Sequence, residues 1–306
     1  MSEDKFLLIK TTKSGFWHDM HHVLGQLLEA ELAHRIPIVY WDKSSMYSTS
    51  EGINAFEKFF LPVSRYGILD LMHEEFTFYP QIWNYRNLLS DGLPEAEIEN
   101  RDPGGEADSS ANVLIHNTYV SMNEIRRRMD KGNPLTGLSD RDIYSRMLKK
   151  YIKLRVEITD EIDSFYNTNM AGRPNVAVHI RGSDKILEVR HLHALNESYP
   201  AEIDRYLAEN PSAHVFLMTD CSDILHEYRK LYGSILIATD CKRVLKHGSG
   251  VHFQVYTDNR NKGIEIIKDT WLAAKCDYFI GNGHSNVSRA VSELKDWREN
   301  DIRLLY

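Results

Sequence analysis

The chain is poor in cysteine, in long apolar runs and in positive charge, and each scarcity excludes a class of protein. Its three cysteines, Cys221, Cys241 and Cys276, are odd in number and widely spaced, which fits reduced thiols better than a disulfide framework. Nowhere do eighteen apolar residues run together, so no segment reads as a membrane span. The opening stretch MSEDKFLLIKTTKSG has no basic segment followed by a long apolar one, as a secretory signal requires. A cytoplasmic location is the expectation, with no transmembrane segment and with peripheral membrane association left open. Lys and Arg number 37 against 44 Asp and Glu, a net charge of −7. That balance argues against a nucleic-acid binder, so any anionic ligand must be caught by local groups.

What is present is globular: 42% hydrophobic and 26% charged residues over 306 positions, enough for two ordinary domains. KFLLIKTT (5–12) predicts a buried strand, Ser14-Gly15 a turn, and His18 to His34 a helix with Val23, Leu24, Leu27, Leu28 and Leu32 on one face. IPIVYW (36–41) reads as a second strand, closing a βαβ unit. Residues 42–150 show little beyond the short amphipathic FEKFFLPVS (56–64) and a breaker-rich loop at 101–112. Ser139 opens a periodic stretch through Met147, Tyr151, Leu154, Val156 and Ile162, as one long helix or two abutting ones. From 175 the pattern is regular: NVAVHI, HVFLMTD, SILIAT and DYFIGN alternate with helices near 199–209, 222–232, 261–276 and 285–297. The expected organisation is an N-terminal α/β domain over 1–150 and a C-terminal Rossmann-like domain over 151–306. Right-handed crossovers make such strands mostly parallel, with carboxyl ends that meet a ligand crevice.

Polar residues stand at those strand ends. His179, Arg181, Asp184 and Lys185 follow NVAVHI, delivering two cations suited to an anion such as a departing nucleotide diphosphate; a surface Arg181–Asp184 pair is the plain alternative. Gly281 to Ser285 lead from a strand into a helix whose first N–H groups could bind phosphate, or simply begin a helix. Asp220 ends its strand, where it could accept hydrogen bonds from a ribose or base, or cap the next helix, as could Asp223. Asp269 lies among apolar residues and needs a donor, whether a guanine edge, Lys268 or Arg289.

His18, Asp19, His21 and His22 crowd the first strand-to-helix junction. His18 and His22 stand four apart, a near match to H-E-x-x-H, so zinc, ordinary packing or capping, and ligand contact are the three readings. The junction position favours the last. Asp140-Arg141-Asp142 reads as capping beside Ser139, the pair His191 and His193 lacks a third ligand, and Arg126-Arg127-Arg128 reads as a solvated face.

Taken together, HIRGSDK (179–185), MHHVLGQLLEAELAHRIPIVYWDKSSMYSTSEGINAFEKFFLPVS (20–64), VFLMTDCSDIL (215–225) and DTWLAAKCDYFIGNGHSNVSR (269–289) resemble the α1,6-fucosyltransferase family, to which protein O-fucosyltransferases are distantly related. The likeness covers about half of the chain and most of its C-terminal part. It implies a GT-B-like α/β fold of two Rossmann-type domains facing a central cleft. It also implies GDP-fucose, or another GDP-sugar, as donor, inversion at the anomeric carbon, no metal and no cofactor. Carried over by position, Arg181 would hold the β-phosphate, His179 and Asp269 would face the guanine, and Asp220 the nucleoside. Ser285, with Asn286 beside it, would approach the diphosphate, and Gly15, Phe16, Trp17 and His18 would cover it with backbone groups. Asp184 and Lys185 complete the expected donor set, and His21 and His22 would stand near donor or acceptor.

Glu188 is the expected general base, nine residues beyond His179 where the family places its glutamate ten beyond, with His18 or His22 second. Cys221 replaces a family aspartate, and His284-Ser285-Asn286 replaces Ser-Ser-Gln. These departures leave open a different nucleotide-sugar donor, or a nucleotide-sugar-binding protein without catalysis. The expected partners are a nucleotide sugar and a glycan, glycolipid or glycoprotein acceptor.

Overall fold

The structure is a computed structural model that describes residues 4–49, 54–90, 110–183 and 192–306. The chain divides into two compact units, Met1–Arg155 and Val156–Tyr306, each built around a parallel sheet.

The N-terminal sheet has the order β2-β1-β4-β3, with β1 at Phe6–Lys10, β2 at Ile36–Tyr40, β3 at Phe78–Tyr79 and β4 at Val113–His116. All five residues of β1 are buried, the continuous burial of a parallel strand covered on both faces. Phe6, Leu8, Val113 and Ile115 form one core with Trp83 and Leu88.

Helix α1 spans Phe16–Leu32, so it begins before the expected His18. The cause is aromatic: Phe16 meets Tyr47, Phe59 and Trp41 edge to face at 5.1, 5.5 and 5.8 Å, a geometry that rings favour when buried. Gly15 is the N-cap with φ −61°, an ordinary extended value. The left-handed residue of this turn is Lys13, at φ 61°. The helix stops at Leu32 and His34 turns at φ 51°.

Helix α2 (Met122–Arg127) opens on a reciprocal cap between Ser121 and Glu124. Helix α3 (Asp140–Tyr151) opens on Ser139, whose hydroxyl accepts from the Asp142 N–H at 3.1 Å. The long periodic stretch is two helices, because Leu61 N–H donates to the Lys153 carbonyl and Arg155 N–H to the Phe59 carbonyl. Those bonds hold 152–155 extended, and α4 begins afresh at Val156–Asn169. The basic run is no solvated face: Arg126 pairs with Asp140 at 2.7 Å and Arg128 with Glu29 at 2.8 Å.

The C-terminal sheet has the order β7-β6-β5-β8-β9, from β5 (Asn175–Ile180), β6 (His214–Thr219), β7 (Leu236–Ile237), β8 (Tyr278–Asn282) and β9 (Ile302–Leu305). The helices are α5 (Leu192–Glu209), α6 (Ser222–Tyr232), α7 (Asn259–Lys275) and α8 (Asn286–Leu294). Val176, Val178, Ile180, Val215 and Leu217 pack against Tyr199, Ile203, Ile224 and Tyr228. The strand order reverses between β5 and β8, so the carboxyl ends of β5, β6 and β8 border the crevice of an open α/β sheet. SILIAT yields only two strand residues, and α5 starts at Leu192 and runs through Pro200 rather than starting near 199. Helix α8 ends at Leu294, where Trp297 folds back to donate to the Val291 carbonyl at 2.9 Å and stacks on Phe279.

Candidate functional site

Arg181 leaves the end of β5 and pairs with Asp220 at the end of β6, Nη1 to Oδ2 at 3.0 Å. The parallel register sets the two strand ends side by side, with Ile180 opposite Thr219. The side chains keep 17% and 9% of their surface exposed. Asp220 also accepts from the Gly182 N–H at 2.8 Å and from the Ser183 hydroxyl. From below, the Asn196 amide donates to the Arg181 carbonyl at 2.8 Å. Asp220 therefore binds the turn that carries Arg181, a use its strand-end position alone did not reveal. The expected partner Asp184, together with Lys185, Glu188 and His191, lies outside the described residues.

Gly182 has a packing reason. A Cβ there would fall 2.4 Å from the Ile224 side chain and 2.7 Å from Cys221 Cβ. Cys221 is fully buried and N-caps α6, so it faces the core and the glycine rather than the crevice. Asp223 does not cap; its carboxylate accepts from the Lys246 N–H at 2.8 Å.

His179 points inward. Its Nδ1 lies 2.7 Å from the Ser288 hydroxyl on α8, and its carbonyl accepts from Tyr199. Burial first, then the charge of Arg181, holds its pKa down to about 4, so the imidazole is neutral at physiological pH. The bond ties β5 to α8, whose N-cap is the buried Ser285. The Ser285 side chain makes no capping bond, and Asn286 stands exposed in the first turn. The preceding turn is braced by Asn282, whose side-chain oxygen accepts from the His284 N–H at 2.8 Å.

Asp269, on α7, is 7% exposed and takes neither predicted basic partner. Lys268 pairs with Glu161 and Arg289 with Glu293. Thr239 donates to Asp269 Oδ1 at 2.5 Å and Cys241 to Oδ2 at 3.5 Å. Burial pushes the Asp269 carboxyl up to about 6 despite these donors and the nearby Arg243. Arg243 bonds the carbonyls of Thr219, Thr239 and Cys241, fastening the β6 and β7 ends together. Thr239, Arg243, Ser288 and Asn196 were not singled out from the sequence; each is fixed by contacts distant along the chain.

In the N-terminal unit, Asp19 is fully buried and accepts from the Thr11 hydroxyl at 2.6 Å and from both the N–H and the hydroxyl of Thr12. Burial raises its pKa, with the threonine bonds opposing. Phe16 and Trp17 are 1% and 2% exposed, so their side chains belong to the core and only their backbone groups remain for a ligand. His18 is half-buried beside Thr12 and Tyr119, and burial lowers its pKa against the pull of Asp19. His21 packs edge-on against Tyr144, and burial drives His22 down to about 4. A residue so enclosed does not reach an acceptor hydroxyl, which removes His22 as an alternative base. Among the described residues no three of His, Cys, Asp and Glu gather to hold a metal ion, and no helix is long and apolar enough to cross a membrane.

A family model described as alpha-(1,6)-fucosyltransferase N- and catalytic domains matches residues 143–306, over half of the chain. No curated protein sequence matches it. Among solved structures, NodZ alpha-1,6-fucosyltransferase soaked with GDP-fucose is similar with a TM-score of 0.63 and 19% identity, over 96% of this chain and 93% of that one. The NodZ structure from Bradyrhizobium gives 0.64 at the same identity and coverage. POFUT1 in complex with GDP gives 0.59 at 14%, over 99% and 98%. At these identities the structural likeness concerns the fold.

Proposed function

The chain belongs to the alpha-(1,6)-fucosyltransferase family, and is thus a glycosyltransferase; from that premise we propose that it transfers fucose from GDP-fucose to a hydroxyl of a glycan, glycolipid or glycoprotein, with inversion and without a metal. The observation that carries this reading is the Arg181 turn, where Asp220, Asn196 and the close-packed Gly182 hold a guanidinium at a sheet's carboxyl edge. The nucleotides found with NodZ and POFUT1 support a guanosine diphosphate donor. The reading extends to a GT-B-like architecture of two Rossmann-type domains, the N-terminal on the acceptor side and the C-terminal on the nucleotide side.

Arg181 offsets the charge that grows on the β-phosphate as the bond from the anomeric carbon to the diphosphate oxygen breaks. The Ser285 end of α8 meets the same diphosphate. Asp269 accepts from the guanine edge while remaining bonded to Thr239, and Asp184, Lys185 and Asn286 complete the donor contacts. His179 acts by positioning α8 through Ser288. The acceptor oxygen attacks from the face opposite the leaving group and gives its proton to Glu188, with half-buried His18 as the second candidate.

A thermal-shift panel of GDP, UDP, ADP and CMP tests the donor, with GDP expected to give the largest rise in Tm. Stabilisation by UDP alone would overturn it. Labelled GDP-fucose incubated with oligosaccharide acceptors tests transfer, and wild-type turnover by Arg181→Ala would refute the role of Arg181.

A further inference from the structure

A recess of about 290 Å³ opens at the other end of the C-terminal sheet, where Tyr206 closes α5 and Tyr278 begins β8. It is separated from the carboxyl edge by the length of β8, roughly 13 Å at the usual strand rise. The two tyrosine rings stack on each other at 4.8 Å with 30° between their planes, and both line the recess with Ile302. Arg205 and Arg303 stand at the rim, and both are anchored by one carboxylate, Glu202, at 2.5 and 3.3 Å. Glu209, Glu299 and Asn300 complete the lining. Among the described residues, the side chains of these three and the hydroxyls of Tyr206 and Tyr278 have no hydrogen-bond partner.

The chemistry of the lining selects a class of ligand. Two guanidiniums, both already held by Glu202, share the lining with Glu209 and Glu299, so a phosphate would meet Glu209 and Glu299, and a metal cation would meet Arg205 and Arg303. A neutral ligand suffers neither repulsion. Planar forks of donors and acceptors around a mainly polar recess suit a compact ring with hydroxyls on its rim. We propose that this recess binds a neutral saccharide unit, at a site separate from the crevice of Arg181. The inference does not depend on the identity of the sugar donor or on catalysis.

Saturation-transfer NMR on the full chain, without nucleotide, tests it with maltotetraose and chitotetraose as probes. At least one should give a signal that inorganic phosphate does not displace. Arg303→Ala and Glu209→Gln, both exposed changes, should weaken that binding roughly tenfold, the size expected for loss of a charged hydrogen bond. Arg181→Ala should bind as the wild type does. Silence from both probes, full binding by both rim variants, displacement by inorganic phosphate, or loss of binding in Arg181→Ala would each overturn the proposal. A chain that binds the saccharide yet transfers no fucose would count against the proposed function alone.

Discussion

At the carboxyl edge of the N-terminal sheet one ion pair is sealed, whereas at that of the C-terminal sheet the Arg181–Asp220 pair keeps access to solvent. Lys10 and Asp42 pair at 3.2 Å with 1% and 2% of their side chains exposed. The Lys10 ammonium also donates to the Leu88 and Ser90 carbonyls and sits 4.5 Å from the Trp83 ring centre. Arg181 is equally well anchored but keeps 17% of its side-chain surface open. Similar parallel strands thus end in two kinds of polar network, one closed to solvent and one that keeps part of its surface open, where the proposed function places the donor. The first kind bears on stability and the second on binding.

Mutation separates the two. Lys10→Ala leaves Asp42 buried without its partner and should cost about 3–5 kcal/mol, read as a lower denaturant midpoint. Arg181→Ala should lower transfer by ~10²–10³ with a smaller midpoint shift, because Asp220 keeps its Gly182 and Ser183 donors and some access to water. A midpoint shift in Arg181→Ala as large as that of Lys10→Ala would erase the contrast.

Asp269 gives an intermediate effect and a sign. Its folded carboxyl titrates near 6, against 3.8 for the ordinary group. Between those values the folded chain holds a proton that the unfolded chain has released, so stability falls as pH rises from about 4 to about 6 and is level above. Asp269→Asn should remove this fall, about 3 kcal/mol at most, in denaturation curves taken across that range. GDP should also raise Tm more at pH 7.5 than at pH 5, because the ionised carboxylate is the better acceptor for guanine N–H groups.

Gly15→Ala is the smallest change. The residue has an ordinary φ and open space around its Cβ position, so stability should stay within about 0.5 kcal/mol. A raised KM for the sugar donor without loss of Tm would support a close backbone approach to phosphate, and an unchanged KM would remove Gly15 from the site.

Much of the C-terminal unit was legible in the sequence because its strands are unbroken apolar strings that end abruptly in polar residues, as at His179 and Asp220. Helix α6 matches its predicted limits for the same reason, with a strand end before it and Gly233 after it. The N-terminal sheet was half visible. β3 has two residues and β4 four, far apart in the chain, too short for a periodic signal. The start of α1 was misplaced because Phe16 joins residues up to Phe60 in one aromatic cluster, which no local pattern records. At the site, the residue types were visible but their pairing was not: Arg181 finds Asp220 only through the β5–β6 register, and Asp269 finds Thr239 across 30 positions.

The Arg181–Asp220 pair bears on which anions can compete for that guanidinium. Because the guanidinium already has a carboxylate beside it, a chloride or sulfate arriving there must compete with a tethered rival. Under the proposed function, a diphosphate that also meets the Ser285 helix end has more to offer than such a small ion. Discrimination against common cellular anions would then reside in the ion pair itself, as a threshold that a weakly held visitor does not cross.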